Sequence, residues 1–338
     1  MGNTKPMLRN GLLALFVVLA LITAACGTDD GVATDEAAAE EALPTIVVTT
    51  SIWSDVVQNV VGEDANVETI IPIGADAHDF APSSQQVAMI QTADLVVANG
   101  LGLEEGLEDV LEAAEADGVN VLEVAPLVEP IPFALGDEDD HGHDDEDGDR
   151  SDEEGEHGQD HDGDDPHVWM DPDRVARAAI EIAEALNALY ASIDWMTRAE
   201  GYAEELRATG VEAQQMLSVV AEDQRKLVTN HEALGYFADR FEFEVVGVVF
   251  PGGSTLSDPS SAELSELVET MEDEGVSTIF GETSSPSALA EAVAAEVGDD
   301  VEVVELYTES LGEPGSGAET VIGMTLTNAQ RVAASLRE

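Results

Sequence analysis

Three histidines and a glutamate in this chain have the types and places to hold a metal ion. His78 lies in "IPIGADAHDFAPS", His167 in "DDPHVWMDP", His231 in "KLVTNHEALGYF" and Glu309 in "VVELYTESLG". His78, His231 and Glu309 each come soon after an apolar, β-branched run, and His167 sits between an acidic stretch and a long helical pattern. In open parallel sheets ligands gather outside the carboxyl ends of the strands. Two candidates from each half of the chain can therefore face one cleft. Three imidazoles and a carboxylate suit four-coordinate Zn2+. The four are far apart in sequence and form no local zinc signature, and each histidine taken singly also reads as a hydrogen-bonded loop residue. A catalytic reading stays open beside the binding one: three histidines with a free fourth position also describe a hydrolytic zinc, with Glu309 as its base. No "HExxH" occurs to support it.

The elements that must position these residues alternate. Strands are expected at "TIVVTTS", "VETIIPIG", "DLVVANG" and "VNVLEVA" in the first half, and at "RKLVTN", "FEVVGVVF", "STIFGE" and "VEVVELYT" in the second. Helices are expected from Trp53 to Val61, at "SSQQVAMIQTA" with Ser83 or Ser84 as cap, and over 103–116, 172–190, 196–220, 262–274, 288–297 and 319–336. Strand–helix alternation implies parallel sheets covered by helices, an α/β fold. The 338 residues suggest two domains.

A formal charge of −60, from 72 acids against 12 bases, repels nucleic acid and attracts cations, so nucleic-acid binding is excluded. Lys5 and Arg9 precede the apolar run "GLLALFVVLALITAAC", which reads as a secretory signal. It ends at Cys26, the chain's single cysteine, so no intramolecular disulfide can form. That ending resembles the bacterial lipobox, in which the thiol is lipidated, although Thr23 stands where leucine is preferred. Cleavage near Ala25 with free secretion is the alternative. Residues 27–43 are acidic and alanine-rich, as a flexible tether would be.

A low-complexity insert, expected to be disordered over 136–165, interrupts the alternation and leads into His167. His141, His143, His157 and His161 lie in it and could hold further Zn2+ weakly; solvation alone would also explain the composition. An EF-hand starting at His143 fails because histidine replaces the first aspartate and Arg150 takes an apolar position.

"DAHDFAPS", "DPHVWMDP", "VTNHEALGYFADRF", "YTESLG" and "TLTNAQRVAASL", in this order, resemble the metal-binding substrate-binding proteins of bacterial ABC importers for zinc and manganese. The resemblance runs from about Ile46 to the C-terminus; "PHVW" followed by Asp–Pro is its most specific part, and Asn328 in the last helix a weak one. It implies two lobes, each with a mostly parallel four-stranded sheet, joined by a long rigid helix with the metal between them. The division would be a first lobe over 44–195, a connecting helix over 196–221 and a second lobe over 222–338. It implies His78 and His167 as first-lobe ligands, His231 as the third, and Glu309 where the family usually has aspartate, with water as the other candidate for that place. Some zinc members have an acid directly before the first histidine; here that residue is Ala77. Glu282, in "IFGETSSP", matches a family glutamate and would orient an imidazole by accepting its free N–H. Manganese members tend to place a carboxylate where this chain has His231. The nitrogen-rich set favours Zn2+ as cargo over Mn2+. A membrane permease and an ATPase would be its partners, a lipid anchor at the extracytoplasmic face its location, and a monomer its state. A surface zinc buffer or adhesin without a transport partner fits the same residues. Because imidazoles bind metal when neutral, affinity should weaken below about pH 6.

Overall fold

In the computed structural model, which describes residues 43–135 and 163–337, the apolar runs form two sheets of four parallel strands. The first contains β1 (Thr45–Val48), β2 (Asn66–Thr69), β3 (Leu95–Ala98) and β4 (Val121–Glu123), in the order β2-β1-β3-β4. The second contains β5 (Lys226–Thr229), β6 (Glu244–Val248), β7 (Thr278–Glu282) and β8 (Glu302–Leu306), in the order β6-β5-β7-β8. The two orders are one pattern used twice. In each, the winding reverses between the two central strands, and the crevice beyond their carboxyl ends is where such sheets receive ligands.

Burial follows from the parallel arrangement. β3, with helices on both faces, is buried throughout and reads "LVVA", whereas the edge strand β2, "NVET", is mostly exposed. In the second sheet, alternation with period two sends Leu227 and Phe280 to one face and Val228 and Ile279 to the other.

The helices are α1 (Ser51–Val61), α2 (Ser84–Gln91), α3 (Glu108–Ala116), α4 (Pro172–Leu189), α5 (Trp195–Leu217), α6 (Gly235–Phe241), α7 (Ser261–Glu274), α8 (Ala288–Val297) and α9 (Val321–Ser335). Their starts are chemically marked. Thr50 caps α1, Asp171 caps α4 with Pro172 in its first turn, and Ser83 and Ser260 form reciprocal capping boxes with Gln86 and Glu263. α5, of 23 residues and roughly 35 Å at an α-helical rise, packs against α4 and α1 on the first-lobe side and α9 on the second. The main apolar core runs unbroken from β1 and β3 through α1, α4 and α5 to α9, Phe280 and Leu306. A smaller core lies under α7 and α8, around Leu267, Met271 and Val293. The two lobes thus share one packed interior along α5, which limits hinge motion between them.

Three expectations need correction. The strand drawn over "VETIIPIG" stops at Thr69: the amides of Ile70 and Ile71 still reach Val48 O and Thr49 O, but Pro72 has no N–H to continue the ladder. The helix drawn over 103–116 is a 3-10 turn at Glu105–Leu107 followed by α3, because the Glu104 carboxylate turns inward to Thr49 Oγ1 and the amides of Asn99 and Gly100. The insert expected over 136–165 is shorter at its end, because Gly163, Asp164 and Asp165 belong to the fold. Asp164 bridges to Pro132, and the buried Asp165 donates its amide to Ile131 O at 2.8 Å. Helix α6 was not expected at all: it is short, lacks a side-chain cap, and buries five of its seven residues, so no periodic polar face marks it. The signal segment, Cys26, the tether and His141, His143, His157 and His161 lie outside the described residues.

Candidate metal centre

His78, His167, His231 and Glu309 come together in the crevice, all buried, with one ligand atom from each within 4.8 Å of every other. They are the one His/Cys/Asp/Glu group of this kind found among the described residues. His231 follows β5 by two residues and faces the end of β7; Glu309 follows β8; His78 stands on the segment after β2; His167 opens a 3-10 turn (Val168–Met170) before α4. Each lobe supplies two of the four.

The spacing is close to that of a tetrahedral ion. Donors at about 2.0–2.1 Å from a tetrahedral metal stand about 3.3–3.4 Å apart. Here His231 Nε2 and His167 Nε2 are 3.2 Å apart. Glu309 Oε1 is 3.3 Å from His167 Nε2 and 3.6 Å from His231 Nε2. His78 Nε2 is looser, 3.9 Å from Glu309 Oε2. Both Glu309 oxygens and both His78 nitrogens are buried without a hydrogen-bond partner. Buried polar atoms are ordinarily paired, and a cation among them would satisfy Glu309 and His78 together.

Each imidazole is set by its neighbours. Asp165 Oδ1 accepts the His167 amide at 2.9 Å and lies 2.7 Å from His167 Nδ1, which turns Nε2 toward the cluster. Glu282 Oε1 hydrogen-bonds His231 Nδ1 and turns its Nε2 inward in the same way. Asp76 Oδ1 accepts the His78 amide at 2.9 Å, but its other oxygen takes the hydroxyl of Thr255 instead of the ring. "DAH" and "DPH" are thus one local device, an aspartate two residues ahead that fixes the histidine backbone. The sequence displays both, yet neither Asp76 nor Asp165 was singled out from it.

Trp169, the tryptophan of the "PHVW" motif, works across the lobes. Its Nε1 donates to Thr308 O at 2.6 Å, next to Glu309, and its ring meets Trp53 edge-on at 6.5 Å. Trp53 Nε1 donates to Asn99 Oδ1, and Asn99 Nδ2 donates to Pro166 O, so β3 supports His167 from behind. The Glu309 loop is pinned further by Asn328, which accepts from Tyr307 N and donates to Tyr307 O, and by Ser310, whose Oγ accepts from Gly74 N. Unexpected helix α6 completes the support. Tyr236 OH donates to Asp165 O at 2.6 Å, and a Cβ at Gly235 would stand 2.6 Å from Asp165 Oδ2, so only glycine leaves that carboxylate in place.

The electrostatics divide the imidazoles. Burial pushes His78 down to about 3, more than the Glu309 charge can offset, so this ring is neutral. Burial opposes a proton on His167 too, but there Glu309 and Asp165 outweigh it and raise the group to about 10. His231 is also raised, Glu282 outweighing burial. Burial would raise Glu309, yet the three imidazoles, His167 first, hold it down at about 2. Without metal the centre is therefore a buried carboxylate beside two imidazoles, His167 and His231, whose Nε2 atoms share one proton.

Outside His78 lies a cavity of about 520 Å³, lined among others by Glu105, Glu108, Phe133, Asp164 and Ser254. Phe133 and Gly163, which stand on either side of the segment outside the described residues, border it.

Residues 46–335 match the family described as "Zinc-uptake complex component A periplasmic" (ZnuA). The chain is similar to the manganese-binding lipoprotein MntA of Halalkalibacterium halodurans, 28% identical over 327 residues that cover 96% of this chain and 97% of MntA. It is 28% identical over 273 residues to the zinc-binding lipoprotein AdcA of Streptococcus pneumoniae, covering 80% of this chain and 51% of AdcA. The solved structure of the periplasmic zinc-binding protein TroA from Treponema pallidum superposes with a TM-score of 0.73 at 26% identity, over 88% of this chain and 100% of TroA.

Proposed function

Because this chain belongs to that family, the metal-binding substrate-binding proteins of ABC importers, we propose that its cargo is Zn2+ and that His78, His167, His231 and Glu309 are the ligands. The observation that carries the reading is the buried cluster itself, three imidazole nitrogens and one carboxylate oxygen brought within 4.8 Å. Three nitrogens in a near-tetrahedral set suit Zn2+ better than Mn2+, which prefers more oxygen donors and a higher coordination number. The relatives' names include both metals, so the donor set supports zinc where family membership alone does not. Glu309 stands within 3.9 Å of all three imidazoles, which supports reading it as a ligand and not as a base beside a metal-bound water. Cys26 would carry the lipid that holds the protein at the extracytoplasmic face of the membrane, near its permease and ATPase. The insert histidines His141, His143, His157 and His161 would be accessory, weaker Zn2+ ligands.

Competition between Zn2+ and Mn2+ for one equivalent of protein, each against a chelator of known affinity, tests the choice of cargo. At least a hundredfold preference for Zn2+, about 3 kcal/mol, is expected for a nitrogen-rich tetrahedral site. It should persist when residues 137–162 are deleted. Preference for Mn2+, or loss of the tight site with the insert, would overturn the assignment.

A further inference from the structure

We propose that Glu105 is the carboxylate that orients His78, and that Ser254 of the second lobe holds it back until the ion is captured. This rests on the metal-site reading above and adds a positioning residue to it. His167 and His231 each have a carboxylate against Nδ1, Asp165 at 2.7 Å and Glu282 in direct hydrogen bond. His78 has none. It is only 2% exposed, neither ring nitrogen has a hydrogen-bond partner, and the carboxylate nearest its Nδ1 is Glu105, with Oε1 at 3.9 Å. That distance is too long for a hydrogen bond and short enough to close with a side-chain rotation.

Glu105 is otherwise engaged. Its Oε1 accepts the Ser254 hydroxyl at 2.7 Å. The adjacent hydroxyl, Thr255 Oγ1, occupies Asp76, the acid behind the His78 amide. One short segment of the second lobe thus takes an oxygen from both first-lobe acids around His78. The backbone under Glu105 is fixed, since a Cβ at neighbouring Gly106 would meet Phe80 O at 2.2 Å, so the side chain must supply the movement.

The consequence is a centre with three set donors and one loose one. His167, His231 and Glu309 stand 3.2–3.6 Å apart, while His78 is 3.9 Å from Glu309. When Glu105 Oε1 leaves Ser254 and accepts His78 Nδ1–H, the ring is locked with its Nε2 lone pair toward the ion. Reversal frees the ring. A carrier must release its cargo as well as hold it, and this exchange places release under a contact between the lobes.

The experiment follows Zn2+ extraction by excess chelator in stopped flow, on the full mature chain and its variants. Co2+ absorption bands report the geometry of the loaded site. Glu105→Ala should speed release about 10- to 100-fold, the usual range for removing a carboxylate behind a ligating histidine, and should shift the Co2+ bands. Glu105→Gln, which keeps an acceptor oxygen, should recover part of the loss. Ser254→Ala should act in the opposite sense and slow release about two- to tenfold, the effect of one net hydrogen bond. The double variant should release as fast as Glu105→Ala alone. Release unchanged in Glu105→Ala, or a Ser254→Ala effect that survives without Glu105, overturns the inference. His231→Ala, run alongside, separates the two levels: if it binds Zn2+ like wild type, the metal-site reading fails as a whole.

Discussion

His231→Ala is expected to weaken Zn2+ binding by about a hundred- to a thousandfold. Structural zinc sites contribute roughly 10–16 kcal/mol across four ligands, so each ligand accounts for roughly 3–4 kcal/mol. His231 also holds the centre together electrically: its Nδ1 satisfies Glu282 and its Nε2 meets both His167 and Glu309. Alanine there leaves the buried Glu282 without that imidazole, so the metal-free variant should also melt earlier. The stabilisation that zinc gives the wild type, about 4 kcal/mol at a free concentration a thousandfold above Kd, should fall to about 0.4–1.4 kcal/mol in the variant at the same zinc level. Deletion of residues 137–162 should leave both quantities close to wild type. Chelator competition and thermal melting with and without zinc measure the pair. Tight binding that resides in the insert would appear as the reverse pattern and would remove the crevice from the account.

Zinc binding near neutral pH should expel at least one proton, and the source is the His167–His231 pair. His167 is raised to about 10 and His231 is raised as well. Their Nε2 atoms, 3.2 Å apart, leave room for one shared proton, which the metal must displace. A raised group is protonated below its folded value, so zinc competes with protons throughout the range below about pH 10. Affinity should rise about tenfold per pH unit for each proton released and level off only as that range is passed. The weakening below about pH 6 expected from free imidazole is the lower part of this wider window. His78, down at about 3, takes no part. The same sign governs the metal-free fold. The stability His167 contributes is fully present below its unfolded value near 6.5 and is lost as pH rises through about 10. Metal-free protein should therefore lose stability at alkaline pH in a way that zinc-loaded protein does not. Calorimetry in buffers of different ionisation enthalpy counts the protons, and a count of zero at pH 7 contradicts the electrostatic description.

What the sequence made legible, and what it did not, follows from the range of the forces involved. β1, β3, β5 and β7 are buried centre strands, and their apolar β-branched runs mark them without help from elsewhere. The four residues of the crevice could be picked because strand ends in parallel sheets are where such groups converge. What stayed hidden depends on contacts between segments distant in sequence. Helix α6 exists because Tyr236 reaches Asp165 and Ile131, more than seventy residues back. Asp165 was assigned to the insert by its acidic neighbours, although its carboxylate serves His167 two residues later. A run of acids hides a functional one, since composition cannot separate Asp165 from the solvated acids before it. Glu105 was invisible for another reason: its relation to His78 and Ser254 spans both lobes.

The most direct test of the central claim, one tetrahedral ion held by three imidazoles and a carboxylate between the lobes, is zinc-edge X-ray absorption on protein loaded with one equivalent. The account predicts four light-atom donors at about 2.0–2.1 Å with the multiple scattering of three imidazoles, reduced to two in His231→Ala. A six-coordinate, oxygen-dominated shell, or a spectrum unchanged by His231→Ala, would contradict it.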